Sequence, residues 1–428
     1  MVDDLQDIVD DLAERLRRSV AIDDPRLRLL AASRHFDDED ATRVASVLNR
    51  SIDPRLCEEI LAQGIARWTA PGRVVVPLAG ASRRICVPIR CNGLLLGYLW
   101  LIDSGPTRPQ HEDVAREAAE RAGAVLYRAL LVHERARARH EAILWELVAT
   151  DHAVRSQAVD DLRAEQLFPD TALCLQVLGI QHQNPDRLAA PQAVALEAAV
   201  EDTQSWMSHG QGGAVVRGHA LMAADKSRMW LLLAVPEPLS HRELDAVHAR
   251  LTTRFEQLLR RGGQIVLGIG GVVHRIEDVI DSYREAFLAV RAAQLVPSIG
   301  PLARWGELGP YELLLKMPAD DLFAAAQVPA LVALHRADGN RGLVATLETF
   351  LDSAGDAART ARRLEVHRAT LYHRLKRIEQ LTGCELSRGE DRLTLHLGLK
   401  LQALAAAYRN ETASLAVEEK PAPMRSVS

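Results

Sequence analysis

Lysine is nearly missing from this 428-residue chain: of its 52 basic residues only five are Lys, at positions 226, 316, 376, 400 and 420, and the rest are Arg. With Ala abundant, this is the mark of a GC-rich coding sequence, so an Arg cluster alone carries little weight as a binding signal. Aromatics are scarce too, at 4% against 48% hydrophobic residues, and cores must therefore be built from Leu, Val and Ala. The five cysteines, at 57, 86, 91, 174 and 384, form no Cys-x-x-Cys pair. An odd number without that spacing excludes a disulfide framework and a thiolate zinc site, and leaves reduced thiols in a cytosol. Apolar runs such as Leu94–Ile102 are far shorter than the ~20 residues that span a bilayer. The acidic start, MVDDLQDIVDDL, is wrong for a signal peptide. A cytoplasmic protein with no membrane partner is expected.

Catalytic signatures are absent as well. There is no phosphate-binding Gly-x-x-x-x-Gly-Lys-Ser/Thr loop and no Gly-x-Ser-x-Gly elbow. Gly268-Ile-Gly270 has Val273 where a dinucleotide fingerprint needs glycine, so it reads as a strand-to-helix turn. His241 and His248 lie two helical turns apart without further ligands, and read as surface residues. No catalytic residue, cofactor or metal is expected. The net charge of −5 averages over uneven segments and decides nothing about partners.

The length allows about three domains. Residues 1–128 read as mixed α/β. Helical spacing runs through Met1–Arg18, with Leu5, Ile8, Val9, Leu12 and Leu16 on one side, and Arg26–Ala32 is a candidate strand. The best hairpin is Arg84–Cys91, the pair Asn92-Gly93, and Leu94–Ile102, because Asn-Gly tolerates the positive φ angles of a type I′ turn. A helix from about Gln110 continues through the Arg-rich His133–His140 into a connecting segment, 129–165. Leu126, Leu130, Leu144 and Leu147 are spaced to suit a dimer seam. Residues 166–317 alternate strands (Leu173–Ile180, Gly213–Val216, Met229–Val235, Gln264–Ile269) with helices (Pro191–His209, His241–Arg261, Ile276–Ala293), the pattern of an α+β sandwich. Residues 318–409 show only helical periods. The tail, 410–428, has no periodicity and is expected to be disordered.

The all-α segment carries the chemistry. Leu343, Leu347, Phe350 and Leu351 share one helix face. Gly355-Asp356 ends that helix and caps the next, Ala357–Leu364. Glu365, Val366 and His367 form a short turn. A third helix, Arg368 to Thr382, buries Leu371, Leu375 and Ile378, and Gly383 stops it. A final helix around Arg392–Tyr408 is expected to turn Leu393, Leu397, Leu401 and Leu404 inward. Opposite the stripe of the third helix lie Ala369, Thr370, His373, Lys376 and Arg377, flanked by Arg368 and Arg374. From Arg359 to Arg377 there are seven basic residues and one acid, Glu365. A helix of this width fits the major groove of double-stranded DNA, its early residues at base edges and its Arg and Lys on phosphates. The candidate DNA-binding residues are Arg359, Arg368, Thr370, His373, Arg374, Lys376 and Arg377.

The run Arg359-Thr-Ala-Arg-Arg-Leu-Glu-Val-His-Arg-Ala-Thr-Leu-Tyr-His-Arg-Leu-Lys-Arg-Ile-Glu-Gln-Leu-Thr-Gly383, with Leu347–Asp352 before it and Glu390–Leu397 after it, resembles the C-terminal helix-turn-helix of PucR/CdaR-type regulators. Ala369 stands where that family often has Asn. Gly268–Gly271, Ser282-Tyr-Arg-Glu-Ala286 and Trp305–Leu315 are similar to landmarks of the family's GGDEF-like domain. Here the expected central hairpin, Ala223–Leu233, has no Gly-Gly-Asp/Glu-Glu-Phe turn, and Asp225 alone cannot support two-metal chemistry. Val87-Pro-Ile and Gly97–Asp103 look like the second half of a GAF-type sensor. The resemblance implies a multidomain α+β protein: a GAF-like α/β sensor (1–128), a connecting helix (129–165), a degenerate GGDEF-like sandwich (166–317) and an all-α DNA-binding domain (318–409). It implies a homodimeric transcription regulator answering to a small-molecule effector or partner. The alternative is a nucleotide-binding or cyclase-type signalling protein built on the middle domain.

Overall fold

The computed structural model describes residues 2–36, 38, 40–49, 53–78, 81–103, 109–168, 174–209, 219–225, 228–259, 263–339 and 342–418. They fall into two compact units, Met1–Arg139 and His140–Ser428.

The first unit runs α1 (Val2–Leu16), β1 (Val20–Asp23), β2 (Leu29–Ala32), α2 (Ala41–Asn49), α3 (Pro54–Leu61), β3 (Gly72–Val74), β4 (Arg84–Cys91), β5 (Leu94–Ile102) and most of α4 (Pro109–Leu147). Its sheet has the order β2-β1-β5-β4-β3, every pair antiparallel. Alternation along the strands makes two cores, because successive side chains point to opposite faces. Val20, Ile22, Ile85, Val87, Ile89, Leu99 and Leu101 pack against α1 and the alanines of α4 (Ala115, Ala118, Ala119, Ala122). Ala21, Cys86, Tyr98 and Trp100 face the other way, onto Leu56 and Ile60 of α3. The expected hairpin is present, with Asn92 at φ 49° and Gly93 at φ 81°, the two positive angles a type I′ turn requires. Strand β1, which lies between β2 and β5, was not legible. It is four residues long and directly follows a helix, so it shows no alternating run of its own.

The second unit holds the end of α4, α5 (His152–Ala164), β6 (Cys174–His182), α6 (Ala190–His209), β7 (His219–Asp225), β8 (Arg228–Val235), α7 (His241–Leu258), β9 (Ile265–Ile269), α8 (Val279–Leu295) and β10 (Leu302–Arg304). These are followed by α9 (Tyr311–Leu314), α10 (Ala319–Ala325), α11 (Pro329–Ala337), α12 (Gly342–Asp352), α13 (Ala357–Arg363), α14 (Arg368–Thr382) and α15 (Gly389–Glu418). The sheet order is β10-β9-β6-β8-β7, parallel only between β9 and β10. Helices α6 and α7 cover one face through Leu196, Val200, Leu244, Leu251 and Phe255. On the other, α8 joins α5 and the end of α4 around Trp230. The α+β sandwich is as expected. The strand expected at Gly213–Val216 lies outside the described residues. The central hairpin is β7–β8, with Asp225 opposite Arg228.

Three expectations are corrected. Leu144 and Leu147 are fully buried in the core of the second unit and cannot form a dimer seam. Leu393 is 61% exposed, and Leu395 and Leu399 are buried in its place, while Leu401 and Leu404 face inward as expected. That helix also runs to Glu418, into the tail expected to be disordered; residues 419–428 lie outside the described ones.

Glycines 268 and 270 mark where α8 lies closest to the sheet. A Cβ on Gly268 would stand 2.2 Å from the Ala286 carbonyl oxygen, and one on Gly270 2.0 Å from that of Ser282. Ser282 Oγ accepts from the Val177 amide at 2.9 Å, and Glu285 accepts from that of Gly271 at 2.9 Å. The glycine run is thus a packing device between strand and helix. Gly270→Ala is expected to destabilise the protein by about 2 kcal/mol or more through backbone displacement, while Gly389→Ala, with open space around it, changes stability by less than about 1 kcal/mol. Urea denaturation of both variants checks this.

Candidate nucleic-acid interface

The last helices form one small core of Leu331, Leu334, Leu347, Phe350, Leu351, Ala361, Leu371, Leu375, Ile378, Leu395 and Leu399. Local chemistry places each end. At the close of α12 the chain passes through Ala354 (φ 55°) and Gly355 (φ 80°), and the Gly355 amide returns to the Phe350 carbonyl at 2.9 Å. Gly355 also leaves room for the Arg392 guanidinium, which donates to the Ala354 carbonyl and lies over the Phe350 ring. Asp356 then caps α13, accepting from Ala358 and Arg359 at 2.8 and 3.0 Å; these hydrogen bonds hold its carboxyl below the usual range. The turn to α14 is made by Glu365 at φ 54°, with the Val366 amide on the Ala361 carbonyl at 3.0 Å. His367 Nδ1 accepts from the Ala369 amide at 3.3 Å and caps α14. Gly383, at φ 68°, ends it.

The buried stripe Leu371, Leu375 and Ile378 fixes the rotation of α14 about its axis. Arg368, Thr370, His373, Lys376 and Arg377 are therefore exposed, as is Arg359 on α13. Arg374 is not among them. It is half-buried and donates to Thr346 Oγ1 of α12 at 3.2 Å, so it braces the two helices. Among the described residues no acidic side chain forms an ion pair with Arg363, Arg368, Lys376 or Arg377, while Arg359 and Arg362 lie in the field of the Asp356 carboxylate. Tyr372, absent from the candidates read in the sequence, is 58% exposed beside His373 on the same helix. Its neighbour in sequence, Leu371, takes the buried position, which was the signal available.

Residues 343–401 match the family described as the PucR C-terminal helix-turn-helix domain, and residues 162–292 match the GGDEF-like domain. The chain thus carries a GGDEF-like segment and then a helix-turn-helix segment, in the order in which the two models match. It is 22% identical to the DNA-binding transcriptional activator AdeR of Bacillus subtilis (strain 168), over 94% of this chain and 93% of that one. It is 21% identical to the proline-responsive transcriptional activator PutR of the same organism, over 93% and 96%. It is 25% identical to the carbohydrate diacid regulator of Escherichia coli (strain K12), over 76% and 81%. The segment that matches the helix-turn-helix model is tied to the GGDEF-like sheet through one shared core: Leu401, Leu404 and Ala405 of α15 join Val266, Ala289 and Ala303, and Arg291 lies over the Tyr408 ring at 4.6 Å.

A polar clamp holds α12 to α15. Asp352 meets His396 at 2.8 Å and Lys400 at 2.9 Å, with Glu348 also near Lys400. Burial works against ionising Asp352, but the hydrogen bonds from Lys400 and His396 outweigh it and hold the carboxyl below its ordinary 3.8. A depressed carboxyl stabilises the fold above its unfolded value and stops doing so as pH falls through the folded one. Asp352→Asn is accordingly expected to cost up to about 1 kcal/mol at neutral pH, solvent screening included, and the difference from the parent to shrink as pH falls below 3.8. Chemical denaturation across pH 2 to 7 measures it.

Proposed function

We propose that this chain is a homodimeric, effector-responsive transcription regulator that reads double-stranded DNA with α14. One observation carries the reading: a helix whose apolar stripe is buried on a two-helix scaffold, leaving Arg368, Thr370, His373, Lys376 and Arg377 exposed with no acidic partner. In this reading Thr370, Tyr372 and His373 meet base edges, and Arg359, Arg368, Lys376 and Arg377 meet phosphates. Arg374 acts indirectly, by holding α14 on α12. Dimerisation is inferred because one short helix offers few base contacts, and two linked half-sites multiply affinity. Effector response is inferred from the GAF-like reading of the first unit; one relative is described as proline-responsive. The GGDEF-like sheet serves as a structural platform in this reading, since its central hairpin lacks the acidic turn.

Footprinting of genomic fragments around the gene tests the proposal. Discrete protected sites are expected, with affinity falling steeply as salt rises. The double variant Lys376→Ala, Arg377→Ala is expected to weaken binding uniformly across sites and to reduce the salt slope by about two, one per lost phosphate contact. Protection of no fragment, with or without candidate effectors, contradicts the proposal; unchanged affinity in the double variant contradicts the assigned face.

A further inference from the structure

We infer that the outward face of α4 is a self-association surface: two copies of this chain pair through it, antiparallel, about a two-fold axis beside Tyr127. The inference rests on the homodimer proposed above and gives it a place and a direction. All the residues concerned belong to the first unit.

Ala115, Ala118, Ala119 and Ala122 are buried against the sheet, and a Cβ on Gly123 would stand 2.9 Å from the Arg90 carbonyl oxygen. This packing fixes the rotation of α4. At 3.6 residues per turn, Glu120, Ala124, Tyr127, Arg128, Leu131 and Arg135 fall within about 60° of one line on the opposite side. Glu120, Ala124, Arg128 and Arg135 are exposed, and Tyr127 and Leu131 are half-buried. Tyr127 and Leu131 belong to none of the hydrophobic cores of the described residues. This face is not the line of Leu126 and Leu130 read in the sequence, because Leu126 packs onto the first core.

The charges along the face are sorted. Glu117 and Glu120 lie on the N-terminal side of Tyr127, and Arg128 and Arg135 on the C-terminal side. Among the described residues none of these four forms an ion pair within the chain, although α4 makes such pairs elsewhere, Asp113 with Arg116 and Arg121 with Asp11. Parallel pairing of two copies would set each of the four charges against its own counterpart. Antiparallel pairing, with the axis between Tyr127 and Arg128, removes that conflict. Glu120 then faces Arg135 of the second copy, Ala124 faces Leu131, and Tyr127 faces Arg128, each contact occurring twice. The seam from Glu120 to Arg135 is about 22 Å long at 1.5 Å per residue. Leu131 fills the space above the small Ala124, and a guanidinium over a Tyr ring is attractive. Charges beside a helix seam set its orientation, and here they favour the antiparallel one.

Sedimentation of the full-length protein, with oxidative cross-linking, tests this. A dimer is expected at low salt, loosening as salt rises. Glu120→Arg or Arg135→Glu alone is expected to weaken dimerisation about tenfold or more, since each turns two attractions into two repulsions. Mixing the two variants, or combining both changes in one chain, is expected to restore it. Both positions are exposed, and an unchanged far-UV spectrum is expected. Ala124→Cys mixed with Leu131→Cys is expected to give a disulfide between copies, assigned by peptide mapping, and Ala124→Cys alone none between its own copies. A monomer at low salt, or a dimer that neither reversal weakens, overturns the surface. A disulfide between two copies of Ala124→Cys overturns the direction. Protein that footprints DNA and fails these tests loses this inference alone. Protein that passes them and footprints nothing loses the DNA reading and keeps the seam.

Discussion

Burial of three side chains, Leu371, Leu375 and Ile378, sets the phase of α14, and everything assigned to this helix depends on that phase. A helix carries 3.6 residues per turn, so a rotation by one residue would bury Lys376 and Glu379, or Arg374 and Arg377, and expose the leucines. The cost of such a rotation is the apolar area lost from the core shared with Leu347, Phe350 and Leu395, about 1.5–3 kcal/mol for each large side chain. The bends that deliver the chain to α14 serve the same end. Asp356 caps α13, Glu365 takes a left-handed turn, and His367 caps α14, each satisfying amides that the helix ends leave open.

The same economy appears in the sheets. Three strands of the first unit, β1, β4 and β5, present alternate residues to two different cores, so the position of Asp23 on the α3 side is decided by Val20 and Ile22 being needed on the other. In the second unit, glycines 268 and 270 let α8 settle onto β9 and β6. Helix α4 contributes to two cores: Ala115, Ala118, Ala119 and Ala122 belong to that of the first unit, and Ile143, Leu144 and Leu147 to that of the second. Its sequence between them is Arg-rich and solvent-facing. One unbroken helix therefore carries residues of the first unit and of the unit that bears α14.

What could be read in advance was whatever repeats or punctuates. The Asn92-Gly93 turn, the helical stripe of α14 and the stop at Gly383 are local signals, and each stands where the spacing put it. Signals set by distant neighbours were not legible. Arg374 sits among basic residues in sequence, but Thr346 draws it inward. Leu393 fits a regular apolar spacing, but the register of α15 against α11 and α12 favours Leu395 and Leu399. Strand β1 is held by β2 and β5 on either side, and nothing within its four residues announces that. The cavity lined by Asp23, Arg43 and Trp100 was invisible for the same reason, since those residues are brought together only by the fold.

The central claim is that the face of α14 opposite the buried stripe lies against DNA. Site-specific photo-cross-linking tests it most directly, with a benzophenone side chain in place of His373 and, as reference, in place of Leu313, which is 72% exposed on α9. The account predicts a covalent adduct with a bound duplex from position 373 and none from position 313. Adducts from 313, with none from 373, would contradict it.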